Sequence, residues 1–210
     1  MKRLLISLYK SLFARKALYR FHHRLLNISL WGLGILNSEN DRWSGEDHFI
    51  RNLTKLIDPK ERFVIFDVGA NVGHYSAKVK SVYPDACIYA FEPDPVSFKF
   101  LNENAQQRGY QAFNLALGAV SGRALFYNRP GGGSAHASLY RDVITEIHAD
   151  NVTQVEVSIL TVEQFAQEHQ LHHVHLLKID TEGSEMDVLL GARQLLENRS
   201  IDLIQFDSIQ

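Results

Sequence analysis

The stretch Val64-Ile65-Phe66-Asp67-Val68-Gly69-Ala70-Asn71-Val72-Gly73 indicates the fold more strongly than any other segment of the chain. An apolar run ends at an acidic residue and passes through two glycines before a helical pattern begins. This order is typical of an open α/β sheet, which binds its ligands over the carboxyl ends of its strands. We expect Gly69 to permit a tight turn with close backbone approach, and Gly73 to let the next helix sit against the sheet.

Strands and helices alternate along the rest of the chain. We predict strands over 63–67, 86–91, 111–117, 174–180 and 201–206, and helices over 75–83, 96–109, 161–169 and 184–197. Thr161 is the predicted cap of the third of these helices. Two further predicted strands, 123–127 and 155–160, flank a glycine-containing loop over 128–151. The alternation implies right-handed crossovers and a parallel sheet.

A basic leader precedes this body. Residues 1–38 contain seven Lys or Arg and no Asp or Glu, whereas the rest of the chain has 15 basic and 24 acidic residues. Apolar residues at three- and four-residue spacing predict one or two amphipathic helices in the leader. A second apolar stripe predicts a further helix, formed by Ile50, Leu53, Leu56 and Ile57. We therefore divide the chain into a helical extension over 1–58 and a ligand-binding body over 59–210.

Two alternative surfaces can bind the apolar face of the leader. It packs on the body or on a second subunit of a homo-oligomer, or its basic helix lies on an anionic membrane surface near a lipid-linked substrate. No run approaches the roughly 18 apolar residues that a membrane span requires. Nucleic acid is not an expected partner, because the body is acidic and has no reading module. The lone Cys87 fits a reducing cytoplasm, with the protein either free or at the inner face of a membrane.

The residues around the two glycines indicate the class of ligand. A dinucleotide site requires a glycine where this chain has Asn71, whereas Asp67 at the strand end suits the cationic amino group of S-adenosylmethionine. Glu92 ends the next strand and can accept both ribose hydroxyls, although it can also merely cap the following helix. Asn114 and Ala116, at the end of the third strand, are candidates for the adenine side of the pocket.

Four motifs together resemble the FkbM family of methyltransferases, and the resemblance covers roughly residues 63–206. The motifs are Asp-Val-Gly-Ala-Asn-Val-Gly at 67–73, Phe-Glu-Pro-Asp at 91–94, Asn-Leu-Ala-Leu-Gly at 114–118 and Lys-Ile-Asp-Thr-Glu-Gly-Ser-Glu at 178–185. The resemblance implies a Rossmann-like class I sheet, mostly parallel, with S-adenosylmethionine as the methyl donor. It also implies O-methylation of hydroxyls on sugars, glycolipids or related metabolites. Because such sheets usually end with two further strands, we expect this sheet to lack the last one or two.

Candidates for catalysis follow the fourth core strand. Asp180 and Glu182 are the candidate general bases, and Asp180 can instead orient the donor or the acceptor. Glu185 lies in a first helical turn, where a negative charge is favourable whatever the function. His136 and Ser138, in the glycine-containing loop, are candidates to close over the site.

No metal is expected at the histidines between 169 and 175, because only alternate strand residues share a face and no convergent carboxylate is evident. The sequence therefore predicts an O-methyltransferase with a small-molecule or carbohydrate acceptor. The alternative is a truncated or non-catalytic cofactor-binding domain that acts as an interaction module. An enzyme that uses NAD or a nucleotide sugar is a third, weaker hypothesis.

Overall fold

The computed structural model describes residues 13, 15–32, 45–57, 62–128, 153–181 and 183–206. The chain divides into two compact units, Met1–Leu53 and Thr54–Gln210. No helix among the described residues is both long and apolar enough to cross a membrane.

The first unit is helical where it is described. A 3-10 turn, Lys16–Leu18, leads into α1, Tyr19–Gly32, so the second half of the predicted leader helices is present. The apolar positions of the leader before Phe13 lie outside the described residues. Large apolar side chains of α1 are exposed along its length, at Tyr19, Phe21, Leu25, Leu26 and Ile28.

The apolar stripe around Ile50 forms two short helices instead of the one predicted. α2, Glu46–Arg51, and α3, Leu53–Leu56, are separated at Asn52, whose side chain donates to the His48 carbonyl oxygen at 2.7 Å. A side-chain hydrogen bond of this kind competes with the helical backbone. Within the stripe, Ile50, Leu53 and Ile57 are buried, but Leu56 is 59% exposed.

Five parallel strands form the main sheet of the second unit, in the order β3-β2-β1-β7-β8. They are β1 Val64–Val68, β2 Cys87–Phe91, β3 Gln111–Phe113, β7 Val174–Ile179 and β8 Ile201–Phe206. The chain runs outward from β1 through β2 to β3, and then continues on the other side of β1 with β7 and β8. The strand order therefore reverses between β1 and β7, the position where open α/β sheets place their ligand crevice. This Rossmann-like architecture confirms the predicted fold class.

Helices cover both faces of this sheet, and its buried strands are mostly apolar. All six residues of β7 are buried, as expected of a central parallel strand. Phe165 packs edge-to-face on Phe91 and Phe113, with ring centroids 4.7 and 4.8 Å apart. The helices of the second unit are α4 His74–Val82, α5 Pro95–Arg108, α6 Val162–Glu168, α7 Glu185–Leu190 and α8 Arg193–Glu197.

The predicted third strand is in fact two strands in two sheets. Its first part is β3, and its second part, β4 Ala116–Leu117, belongs to a three-stranded sheet with the order β4-β6-β5. The chain bends between them at Asn114, whose side-chain amide donates to two backbone carbonyls after β2. The predicted strands on either side of the glycine loop are confirmed as β5 Gly122–Asn128 and β6 Thr153–Leu160, which pair antiparallel. The loop between them, with His136 and Ser138, lies outside the described residues.

The helix predicted over 184–197 is interrupted and forms α7 and α8 instead. The predicted cap at Thr161, by contrast, is confirmed. A Cβ at Gly191, between α7 and α8, would lie 2.1 Å from the Gly118 carbonyl oxygen, so the backbone itself packs there. The Gly191 carbonyl also accepts a hydrogen bond from the Glu163 amide at 3.0 Å. Thr161 accepts from the Gln164 amide at 3.0 Å and begins α6 as predicted.

Candidate active site

The turn after β1 is held against the turn after β2. Gly69 and Ala70 donate their amides to the Phe91 carbonyl oxygen, at 3.0 and 2.9 Å. Gly69 has a φ of +76°, and a Cβ there would lie 1.7 Å from the Asp180 carbonyl oxygen. The close backbone approach expected at Gly69 is therefore present, and the backbone that approaches Gly69 is the segment after β7.

Gly73 begins α4 with a φ of +89°. A Cβ at this position would lie 2.4 Å from the Tyr110 hydroxyl oxygen and 2.8 Å from Leu101 Cδ1. Only glycine therefore lets α4 approach these two side chains so closely.

Glu92 follows β2 and is only 7% exposed. Its Oε2 accepts the Asn71 amide and its Oε1 accepts the Asp94 amide, each at 2.8 Å. Burial raises the pKa of Glu92 to about 7, although these two amide hydrogen bonds act in the opposite direction. Asp94, whose side chain accepts from the Ser97 amide at 2.9 Å, is the residue that caps α5. Glu92 therefore joins the turns after β1 and β2 and is not simply a helix cap.

Asn71 brings a second polar group to the same place. It adopts a left-handed backbone with a φ of 49°, and its Oδ1 is buried without a hydrogen-bond partner among the described residues. Because a buried acceptor without a partner is costly, this oxygen marks a position where a ligand donor would be favourable.

The two residues predicted for the adenine side have different surroundings. Asn114 Nδ2 donates to the carbonyl oxygens of Glu92 and Pro93, at 2.9 and 3.1 Å, so it holds the end of β2 in place. Ala116 is buried in β4 of the second sheet, where it pairs with Ile159. Asn114 therefore contacts the segment around Glu92 directly, whereas Ala116 belongs to the second sheet.

A polar row crosses three neighbouring strands of the main sheet, and we call Asp67, Lys178 and Gln205 the buried polar row. Asp67 and Lys178 are buried, and Gln205 is half-buried. Lys178 pairs in register with Asp67 on one side and with Gln205 on the other. Helix α4 covers the row, since Ser76 Oγ donates to Asp67 Oδ2 at 2.7 Å and the Tyr75 hydroxyl donates to Gln205 Oε1 at 2.6 Å.

Lys178 carries the positive charge of this row and is 5% exposed. Its Nζ lies 3.0 Å from Asp180 Oδ2, 3.4 Å from Asp67 Oδ1 and 5.4 Å from the centre of the Tyr75 ring. Burial alone lowers the pKa of Lys178, but the carboxylates of Asp67 and Asp180 outweigh it and raise the pKa. Lys178 is therefore an ammonium ion that bridges two carboxylates.

The two carboxylates on Lys178 differ in access. Asp67 is completely buried and faces Ser76 and Lys178, so its predicted contact with the amino group of a ligand has no open path in this arrangement. The side chain of Asp180 is 35% exposed. Asp180 is thus the point where the buried polar row reaches the surface.

The segment after β7 is fixed by Glu185. Its Oε1 accepts from Thr181 Oγ1 and the Gly183 amide, both at 3.0 Å, and from the Thr181 amide at 3.3 Å. Burial raises the pKa of Glu185, but these hydrogen bonds outweigh it and the pKa is lowered. Glu185 therefore has a structural role beyond its helical turn. The other candidate base, Glu182, lies outside the described residues.

Residues that the sequence analysis did not single out complete the site. Lys178 was quoted only within a motif, yet a lysine inside a continuous apolar strand signals a buried ion pair, because lysine is rarely buried without a partner. Tyr75, Ser76 and Gln205 gave no comparable signal. Their roles depend on how α4 lies over the sheet.

The expectation that no carboxylate converges on the histidines is wrong. Asp202 Oδ2 lies 2.9 Å from His173 Nε2, and His175 lies beside them. His175 Nδ1, however, accepts the Val64 amide at 3.0 Å, which leaves its proton on Nε2. A histidine that binds a metal normally donates its other ring nitrogen, so this tautomer does not suit a metal ligand.

A family model matches the part of the chain that contains the site. Residues 67–209 match the model of the methyltransferase FkbM domain, which is more than half of the chain. The chain belongs to the FkbM methyltransferase family. The match begins at Asp67 and includes the FkbM-type motif from Lys178 to Glu185.

Several curated relatives of this FkbM-family chain are methyltransferases. Methyltransferase 1 of Beauveria bassiana is 31% identical over 161 residues, which cover 70% of this chain and 63% of the relative. The hexuronic acid methyltransferase AglP of Haloferax volcanii is 25% identical, covering 77% and 62%. The 2-O-methyltransferase NoeI of Sinorhizobium fredii is 27% identical, covering 70% and 63%. The chain thus matches a little over six tenths of the length of each of these relatives.

Proposed function

We propose that this protein is an S-adenosylmethionine-dependent methyltransferase that methylates a hydroxyl group of a sugar, a glycolipid or a related small molecule. The observation that carries the proposal is the joined pair of Asn71 and Glu92 at the carboxyl ends of β1 and β2. The family supports methyl transfer, and its relatives NoeI, a 2-O-methyltransferase, and AglP, a hexuronic acid methyltransferase, support a hydroxyl or sugar acid as acceptor.

The acceptor atoms at this position suit the donor groups of S-adenosylmethionine. That molecule has an amino cation and two ribose hydroxyls, all of which donate hydrogen bonds. Each Glu92 oxygen accepts one amide and retains a further lone pair, and Asn71 Oδ1 has no partner among the described residues. We assign the ribose hydroxyls to Glu92, while Asn71 Oδ1 is available to the remaining donor.

Methyl transfer requires alignment of the acceptor and removal of its proton. Bound S-adenosylmethionine supplies the methyl group as an electrophile on a sulfonium ion, and alignment of this kind is worth about 7–11 kcal/mol. Asp180 is exposed beside Gly69 and is our candidate to take the hydroxyl proton, which typically contributes roughly 10²–10⁴-fold.

Titration calorimetry with S-adenosylmethionine, followed by methyl transfer to a panel of sugars and glycolipids, tests this proposal. We expect binding and turnover of at least one hydroxyl acceptor. Binding without any turnover would favour the interaction-module alternative. Tight binding of NAD in place of S-adenosylmethionine would contradict the cofactor assignment.

The leader supports a location at a membrane surface. Helix α1 exposes Tyr19, Phe21 and Ile28 by 67%, 57% and 58%, within a segment that has seven basic residues and no acidic ones up to residue 38. An apolar surface together with a positive charge suits an anionic lipid headgroup layer. We therefore propose that α1 lies on the inner, anionic face of a membrane, where a lipid-linked acceptor would be within reach.

A further inference from the structure

We propose that Lys178 is a positioning residue that fixes the Asp180 carboxylate in the orientation needed to accept the hydroxyl proton, and that buried Asp67 keeps Lys178 in place. This inference rests on the proposed function, since it assumes that Asp180 takes the proton of the acceptor hydroxyl.

The sheet places the three groups together. Asp67 and Lys178 are register partners on the adjacent strands β1 and β7, and Asp180 directly follows β7. The Lys178 ammonium lies between the two carboxylates, at 3.4 Å from Asp67 Oδ1 and 3.0 Å from Asp180 Oδ2. In the part of the chain that the structure describes, the charged and titratable groups that face Lys178 are these two carboxylates on the sheet and Tyr75 on α4.

The difference in exposure separates their roles. Asp67 is fully buried and bound to Ser76, so it cannot reach an acceptor, and its charge serves the ammonium. Asp180 is 35% exposed, and only its Oδ2 is bound to Lys178. The other oxygen, Oδ1, makes no hydrogen bond among the described residues and is available to a hydroxyl. A fixed Oδ2 therefore orients a free Oδ1.

The ammonium also restricts the conformation of Asp180. Without it, Asp180 Oδ2 loses its hydrogen bond to Lys178 Nζ, and the side chain can adopt other rotamers. Lys178 therefore keeps Asp180 in the orientation in which Oδ1 is available to an acceptor.

The test compares Lys178→Met, which removes the charge, with Lys178→Arg, which keeps it. Lys80→Met is the matched control, because Lys80 donates to the Ala86 carbonyl oxygen at 2.8 Å, away from the buried polar row. We expect Lys178→Met to bind S-adenosylmethionine with little change but to lose roughly 10²-fold in kcat. The KM for the acceptor should change much less than kcat. Lys178→Arg should recover part of the lost kcat, and Lys80→Met should resemble the wild type.

A second measurement needs no turnover. Crystal structures of the free variants show the conformation of the Asp180 side chain. We expect a single rotamer of Asp180 in Lys80→Met, as in the wild type, and more than one in Lys178→Met. If Lys178→Met fails to fold, the double variant Asp67→Asn with Lys178→Met removes both buried charges and still permits the comparison.

The outcomes separate the two proposals. Turnover in the wild type, together with an unchanged kcat and an unchanged Asp180 rotamer in Lys178→Met, would overturn this inference alone. A wild type that binds S-adenosylmethionine but methylates no acceptor would contradict the proposed function, and this inference with it. The double variant Lys178→Met with Asp180→Asn should lose no more activity than Asp180→Asn alone, because both changes act through the same carboxylate. Additive losses would also overturn the inference.

Discussion

Asn71 donates its backbone amide to Glu92 Oε2 across 2.8 Å, which joins the turn after the first strand to the turn after the second. The two turns lie at the carboxyl ends of neighbouring parallel strands. The Glu92 carboxylate thereby holds the two turns together and remains available to a ligand. Its ionisation should therefore affect both the conformation of the turns and the binding of the ligand.

Glu92 makes cofactor affinity dependent on pH. Because the pKa of Glu92 is raised to about 7, the carboxylate is increasingly protonated below that pH and offers fewer acceptor sites to the ribose hydroxyls. We expect the Kd for S-adenosylmethionine to be constant above pH 8 and to rise about tenfold by pH 6. Calorimetry across this range measures it. Glu92→Ala should abolish binding, and an affinity that is independent of pH in the wild type would contradict the assignment to Glu92.

Glu92 should affect the stability of the free protein in the direction opposite to its effect on cofactor affinity: the free energy of unfolding should decrease as the pH rises. A carboxyl group whose pKa is raised on folding binds its proton more tightly in the folded state, so it contributes stability below its unfolded pKa of about 4.5. That contribution is lost as the pH rises towards 7. Urea unfolding between pH 5 and 8 with and without S-adenosylmethionine should show stabilisation by the ligand that increases with pH.

Asp180→Asn should separate binding from catalysis. The variant keeps the size of the side chain and removes the base, so we expect kcat to fall by roughly 10²–10⁴-fold while the Kd for S-adenosylmethionine changes little. Single-turnover methylation together with calorimetry checks both. A variant with full kcat would show that Asp180 is not the base, and would direct attention to Glu182.

Asp67→Ala should destabilise the fold as well as the site. The change removes one carboxylate from buried Lys178 and leaves the ammonium with Asp180 alone. We expect the free energy of unfolding to fall by on the order of 3 kcal/mol, as when one partner of a buried ion pair is removed. Urea denaturation measures this loss. The charge-free pair Asp67→Asn with Lys178→Met should lose less, and an equal loss would show that the ion pair is not the cause.

Helix α1 should bind vesicles through both charge and apolar surface. We expect the protein to sediment with phosphatidylglycerol vesicles and not with phosphatidylcholine vesicles, and to be released at 1 M salt, where the screening length is about 3 Å. Phe21→Ser with Leu25→Ser should weaken binding, whereas Ser29→Ala, on the same helix, should not. Equal binding to both vesicles would contradict the proposal, and a dimer in sedimentation without vesicle binding would favour the second-subunit alternative.

The sequence predicted the elements of the main sheet to within a few residues because most of them are short, mainly apolar runs. The errors have specific physical causes. Asn114 ends β3 by binding carbonyls across the chain, and Gly191 interrupts a helix because another backbone segment packs on it. Neither contact is visible in a periodic pattern, since each involves residues far apart in sequence.

The sequence predicted which residues belong to the site better than it predicted how their side chains are arranged. Asp67 and Glu92 stand at the strand ends as expected, but the pattern cannot show which way a carboxylate turns. Asp67 turns inward to Lys178, while Glu92 turns to the amides of Asn71 and Asp94. The different orientations of the two carboxylates depend on the neighbouring strand and on α4. Neither element is part of the local sequence motif.

The ion pair between Asp67 and Lys178 joins the first strand of the sheet to the fourth along its path, across more than a hundred residues of sequence. Loss of Lys178 leaves the buried carboxylate of Asp67 without its counter-charge, and loss of Asp67 leaves the buried ammonium with Asp180 alone, so a change at one position favours a compensating change at the other. Among descendants of a common ancestor, positions 67 and 178 should therefore vary as a unit, and random mutagenesis that samples single substitutions should find neither of them tolerant.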